Sequence, residues 1–219
     1  GSRTRGSHRV SGIWEHSLTT RPINSLLKNL EAKEKYLLDN NIIPDVVGCG
    51  SGAAGTELAF GYKKRWDKLF RADVKVRIVS NKDSVLYGAN PTTIVQINRK
   101  LKEHNIDVIT HEEVERIEAD GVVFKSGRKE PCNVAVWATG AEPQQVNVDS
   151  DLELMKGYFR VNDYLQSTSH PNVFAGGDCI TMETYASEGN FPPKAGVYAV
   201  REGPVIADNI VNIINKKEL

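Results

Sequence analysis

Apolar positions Ile23, Leu26, Leu27, Leu30, Leu37 and Leu38 recur at helical spacing behind Thr19-Thr20-Arg21-Pro22, which predicts a capped amphipathic helix ending near Asn40-Asn41. The run from Ile42 to Gly50 is short, apolar and closed by glycine, as in a buried parallel strand, with Pro44 confining full pairing to its second half. Ala54, Leu58, Trp66 and Phe70 then fall on one helical face, with Gly61 as its weak spot. Val74 to Ser80 is a β-branched strand, Asn90 with Pro91 in the first turn opens another helix, and Ile106 to Thr110 is again a strand. From Val114 the pattern shortens. Residues 113–120, 121–127 and 133–140 read as three strands of a β-meander, joined by Asp-Gly and Ser-Gly-Arg turns. A polar segment follows, then an apolar strand over residues 172–178 and a last helix from about Pro193 to Lys217. Strands alternating with helices predict an α/β fold with a Rossmann-like, doubly wound sheet.

Composition narrows what such a fold can do. Twenty-eight Lys+Arg against 28 Asp+Glu leave no net charge, so there is no field to gather nucleic acid. Cys49, Cys132 and Cys179 are far apart with no C-x-x-C, which predicts neither a zinc site nor a dithiol redox centre and favours a reducing compartment, cytoplasm or organelle matrix. Cys49 and Cys179 are expected to be small buried thiols rather than reactive ones. The five His show no metal-ligand spacing. No apolar run reaches the length of a membrane span, and the basic, irregular opening GSRTRGSHRVSG has no apolar stretch behind it to make a signal peptide.

The chemistry concentrates at Gly50-Ser51-Gly52-Ala53-Ala54-Gly55, a G-x-G-x-x-G between a strand and a helix. Each glycine has a task there: a tight turn, close backbone approach to a pyrophosphate, and close helix-to-strand packing. The diphosphate would rest on the helix N-terminus, whose free N–H groups and dipole favour negative charge. The competing reading is a glycine turn used only for packing. At the end of the second strand, where a carboxylate would bind the adenosine ribose, the chain has Ser80-Asn81-Lys82. Ser80 and Lys82 there face either a 2′-phosphate or solvent, and Asp83 keeps a ribose contact open.

Three further pieces carry a family resemblance: Glu57 just after Gly55, Ala138-Thr139-Gly140, and the run from His170 to Asp178 ending in Gly176-Gly177-Asp178. With them the chain resembles the two-dinucleotide-domain flavoprotein oxidoreductases, the pyridine nucleotide-disulfide oxidoreductase fold family. Residues 193–204, beginning Pro193-Lys194-Ala195-Gly196, and Thr20-Arg21-Pro22-Ile23 look most similar to its type II NADH dehydrogenase-like branch, especially the flavoproteins associated with selenide, water dikinase.

The resemblance implies that the Gly50 loop binds NAD(P)H, that Thr139 and Gly140 lie on the strand leaving that domain, and that Asp178 accepts hydrogen bonds from FAD while Gly176 and Gly177 let the cofactor approach. It implies that Lys194 and Ala195 open a helix aimed at the flavin ring, and that Glu57 lies where nicotinamide meets flavin, making Glu57 and Lys194 the candidate catalytic residues. Each has a plainer alternative: a turn for Gly-Asp, a surface lysine for Lys194, a first-turn carboxylate for Glu57. Tyr185 and Phe191, in the loop from Thr181 to Pro192, are placed beside the flavin and the acceptor site.

Such proteins carry another strand–glycine–helix unit for FAD, and these 219 residues hold one such loop. The expectation is therefore a fragment: residues 1–40 a linker and helix from the FAD domain, residues 41–142 the NAD(P)H-binding domain, and residues 143–219 the C-terminal part of the FAD-binding domain. Its parent would pass a hydride from NAD(P)H to flavin and electrons to a small-molecule acceptor such as a quinone, as a homodimer or a membrane-peripheral protein. A non-catalytic nucleotide-binding scaffold is the alternative. A flavin-free dehydrogenase is disfavoured, since no Tyr-x-x-x-Lys pair or placed catalytic His is evident.

Overall fold

The computed structural model describes all 219 residues, and they divide into two compact units, one of residues 4–140 and one of residues 1–3 with 141–219. The first opens with β1 (Arg3–Thr4), which begins in the other unit, and continues through α1 (Ile13–His16), β2 (Ser17–Thr19), α2 (Ile23–Asp39), β3 (Asp45–Cys49), α3 (Ala53–Phe70), β4 (Lys75–Val79), α4 (Pro91–Glu103), β5 (Ile106–Ile109), β6 (Val114–Glu118), β7 (Gly121–Phe124), β8 (Lys129–Pro131) and β9 (Val134–Trp137). The second contains β10 (Ala141–Glu142), α5 (Gln145–Val148), β11 (Leu154–Met155), β12 (Tyr158–Val161), β13 (Ile180–Met182), α6 (Glu183–Ser187) and α7 (Gly196–Ile214).

A parallel five-stranded sheet in the order β2-β9-β3-β4-β5 organises the larger unit. Its strands are covered on both faces, so their alternate residues divide between two cores. Val46, Val76, Ile78, Val134 and Val136 pack with Leu26 and Leu37 of α2, Ala59, Tyr62 and Trp66 of α3 and Leu101 of α4. Val47, Cys49, Val79, Ala135 and Trp137 meet Ile13 and the β-meander residues Ile117, Val122 and Phe124. On the helical side, Glu34 of α2 receives Arg65 Nε at 2.6 Å, Arg65 Nη2 at 2.7 Å and Trp66 Nε1 at 2.6 Å, which fixes α2 against α3.

The sheet departs from the sequence expectation in two places. The third strand of the meander is β8, and residues 134–137 belong to the parallel sheet between β2 and β3. All four residues of β9 are buried, as a strand covered on both faces requires, whereas Lys129 and Pro131 are exposed and Pro131, lacking an N–H, suits an edge. Buried Arg77 of β4 holds β8 in place by donating to the Glu130 carboxylate and to the Pro131 carbonyl at 3.0 Å, while its other arm pairs with Asp45.

Residues 4–40, expected to belong with the flavin-binding part, instead lie in the unit of the parallel sheet. β2 adds an edge strand to β9, and the Arg5 carbonyl accepts Trp137 Nε1–H at 2.9 Å. The basic opening, mostly turns, thus joins the unit of the parallel sheet. Helix α2 starts at Ile23 with Pro22 as its cap residue and no side chain capping it, so neither Thr20 nor Arg21 plays that part.

In the smaller unit β12 pairs antiparallel with β11 and parallel with β13, over a small core of Val161, Leu165 and Ile180. Residues 172–178 are not a strand. Phe174 makes a single bridge to Gln166, and Gly177–Cys179 is a 3-10 turn. The last helix is shorter than expected, Gly196–Ile214, so Pro193 and Lys194 precede it and Lys216 and Lys217 follow it. No helix is long and apolar enough to cross a membrane.

Candidate functional site

The three glycines of the loop after β3 do three different things. Gly50 has φ +123°, and a Cβ there would stand 2.3 Å from the Ala138 carbonyl oxygen, so the chain turns out of the strand only because the residue is glycine. At Gly55 a Cβ would meet the Gly50 carbonyl oxygen at 2.0 Å, which is the close packing of α3 on the loop. Gly52 has ordinary backbone angles and open space where a Cβ would project. Nothing in the fold requires glycine at that position.

The helix behind it leaves its first amides unused by the fold. The first intrahelical hydrogen bond runs from Thr56 N–H to the Gly52 carbonyl at 3.0 Å, no side chain caps the helix, and its first turn carries no carboxylate. The amides of Ala53 and Ala54 therefore stand at an uncapped, exposed, positive helix end. These residues fit a dinucleotide diphosphate.

Ser51 and Ser80 face each other rather than solvent. Ser51 Oγ donates to Ser80 Oγ at 2.8 Å, Ser80 Oγ donates to the Ser84 carbonyl at 3.0 Å, and Lys82 N–H donates to Ser80 Oγ at 3.1 Å. Ser80 is 1% exposed, so the expectation that its side chain faces a 2′-phosphate is corrected: its hydroxyl is used up inside the loop. Lys82 is exposed, with Nζ 5.3 Å from the centre of the Tyr87 ring. Glu57 projects from α3 into solvent without a hydrogen bond or ion pair. Thr139 Oγ1 donates to the Arg5 carbonyl at 2.5 Å, and the Gly140 carbonyl accepts Arg5 N–H at 3.0 Å, so this pair closes the edge of the unit. Sequence reasoning missed Arg5, whose backbone N–H and carbonyl make these contacts and leave no signature in the residue type.

In the C-terminal unit, Asp178 accepts Ser2 Oγ–H at 2.7 Å. Gly176 and Gly177 lie against α7. A Cβ at Gly176 would stand 2.8 Å from Ile206 Cδ1, one at Gly177 would stand 3.0 Å from Ala199 Cβ, and the Gly177 N–H donates to the Glu202 carboxylate. Lys194 Nζ donates to the Ile180 carbonyl and lies 4.2 Å from the Tyr158 ring centre. Burial pulls its pKa below the usual lysine range, against the opposing charges of Asp178, Cys179 and Glu202. Ala195 is the cap residue of α7, no side chain caps that helix, and Gly196 stands in open space. A polar cleft of about 480 Å³ in this unit, bordered by Glu153, Arg160, Thr168 and Glu183, contains none of the predicted residues.

Residues 3–203 match the family described as pyridine nucleotide-disulphide oxidoreductase. The chain is 34% identical over 211 residues to an NADH oxidase of Streptococcus pneumoniae, covering 93% of this chain and 44% of that protein. It is 25% identical over 203 residues to a type II NADH:quinone oxidoreductase of Haemophilus influenzae, covering 86% of this chain and 44% of that one. The structure of an NAD-dependent persulfide reductase from A. fulgidus superposes with a TM-score of 0.75 at 25% identity, over 96% of this chain and 38% of that one. The chain thus spans less than half the length of each of these relatives. Because the family match takes in the parallel sheet, its glycine turn and the Gly-Asp turn that precedes α7, this chain belongs to the pyridine nucleotide-disulphide oxidoreductase family.

Proposed function

We propose that this chain is the NAD(P)H-binding part of an FAD-dependent NAD(P)H oxidoreductase whose acceptor is a small molecule, a quinone in the type II reading. The observation that carries the proposal is the open face of Gly52 above an uncapped helix, between two glycines that the fold itself requires. When bound, the nicotinamide supplies a hydride and FAD relays electrons. The chain's own residues bind and orient. Gly52, Ala53 and Ala54 hold the diphosphate through backbone N–H groups, and Glu57, one turn further along α3, stands free to meet the ligand's nicotinamide end.

In the C-terminal unit, Asp178 and the uncapped start of α7 at Ala195 and Gly196 are the groups we assign to FAD, a hydrogen-bond acceptor and a positive helix end for an electron-rich ring edge. Lys194 is assigned beside them, as a cation whose charge its partly buried setting disfavours. The reading is compatible with a homodimer and with a reducing compartment.

Calorimetric titration of the chain with NADH and NADPH tests it. Saturable binding of one dinucleotide is expected, weakened at least about tenfold in Gly52→Val, whose Cβ meets nothing in the fold and whose branches fill the ligand's place. Because the chain is read as the nicotinamide part, it should purify without colour. A yellow, stoichiometrically flavinated chain would overturn that division of labour.

A further inference from the structure

We propose that the dinucleotide's adenosine end is read by Lys82, and that the site prefers NADPH to NADH. The inference rests on the dinucleotide reading above and concerns only the loop after β4. A carboxylate at this strand end accepts both ribose hydroxyls of NADH, whereas a cation there meets the 2′-phosphate of NADPH.

The candidate acceptors can be taken in turn. Ser80, the residue at the strand end, is buried, and its hydroxyl is committed to Ser84, Ser51 and the Lys82 amide. Glu112 lies beside it, its N–H donating to the Ser80 carbonyl at 3.1 Å, but its carboxylate already takes the Ser126 hydroxyl at 2.8 Å and stands 3.9 Å from Arg128. Asp83 is exposed and free, on a short side chain. Lys82 has the longer reach and the fixed base: its N–H is held by Ser80, its carbonyl by His111 N–H at 3.2 Å, and its ammonium lies over the exposed ring of Tyr87. The inward turn of Ser80 thus removes the neutral acceptor from the rim and leaves a cation anchored there.

Trp fluorescence or calorimetric titration of the 219-residue chain with NADPH and NADH decides the matter, with Lys82→Glu and Asp83→Asn as the variants. NADPH is expected to bind about tenfold tighter than NADH, by an excess that shrinks as salt is raised. Lys82→Glu should invert that ratio, a result that misfolding cannot imitate. NADH binding as tightly as NADPH or tighter in the unaltered chain overturns the proposal while leaving the dinucleotide site intact, and a loss of NADH binding in Asp83→Asn would then move the ribose contact to Asp83. A ratio unchanged by Lys82→Glu also overturns it. Failure of both nucleotides to bind overturns the dinucleotide reading itself.

Discussion

The Ser51 hydroxyl, inside the glycine loop, donates to the Ser80 hydroxyl at the end of β4 across 2.8 Å. That bond joins the part of the site that would hold the diphosphate to the part that would meet the adenosine. It is buried at the Ser80 end and continues to the Ser84 carbonyl and the Lys82 amide. Ser80→Ala removes the donor to Ser84 and the acceptor for two others. The expected cost is about 1–3 kcal/mol in urea unfolding, the range for stranding buried hydrogen-bonding groups. Dinucleotide affinity should fall with it, because the loop loses its brace.

The glycines separate fold from function. Gly55→Ala places a methyl 2.0 Å from the Gly50 carbonyl oxygen, against backbone that cannot swing aside, and should destabilise by about 3 kcal/mol or more. Gly52→Ala meets nothing and keeps an allowed backbone, so its stability should stay within about 1 kcal/mol of the parent. A thermal or urea melt of the two variants side by side distinguishes these roles.

Acid should loosen α2 from α3. The hydrogen bonds from Arg65 hold the Glu34 carboxyl below the usual range, with burial opposing them and Trp66 adding to them. A carboxylate whose folded pKa is depressed contributes stability that is complete above its unfolded pKa and is lost as pH falls through the folded value. Glu34→Gln should therefore cost about 1–3 kcal/mol near neutrality and flatten the acid limb of the stability curve, measured by urea melts from about pH 7 to about pH 3.

The helix, strand and glycine-loop framework was legible because its signals are local: the 3.6-residue spacing in α2 and α3, the β-branched run of β4, Asn90 accepting from Thr92 N–H at 2.9 Å ahead of Pro91. What failed needed partners far along the chain. Val134–Trp137 has the same apolar, β-branched look as a meander strand, and only its burial between β2 and β3 decides its place. Residues 172–178 look like a strand until Gly176 and Gly177 are seen pressed against Ile206 and Ala199 of α7. At the site, the glycine spacing pointed correctly to the turn, but the direction of the Ser80 hydroxyl depends on Ser51, 29 residues away. Polar side chains carry no periodicity that tells inward from outward.

Thiol reactivity should follow burial. Burial pushes the Cys132 thiol up to about 11, with Arg77 pulling the other way, and raises that of Cys49 well above its ordinary value. Cys179 is only partly buried, its Sγ–H donating to the Gly176 carbonyl at 3.2 Å. Ellman's reagent near pH 8 should modify Cys179 alone in the folded chain and all three thiols after unfolding. Rapid reaction of Cys49 or Cys132 in the native state would contradict the packing of the meander face.

The claim on which the rest depends is that Gly52, Ala53 and Ala54 form an anion cradle for a nicotinamide dinucleotide. Amide NMR of the isotopically labelled chain, titrated with NADPH, tests it at the residues concerned. Saturable shifts centred on the amides of Gly52, Ala53 and Ala54 and extending to the Ser80–Lys82 loop are predicted. Shifts confined to other parts of the chain, or none at all at millimolar nucleotide, would contradict it.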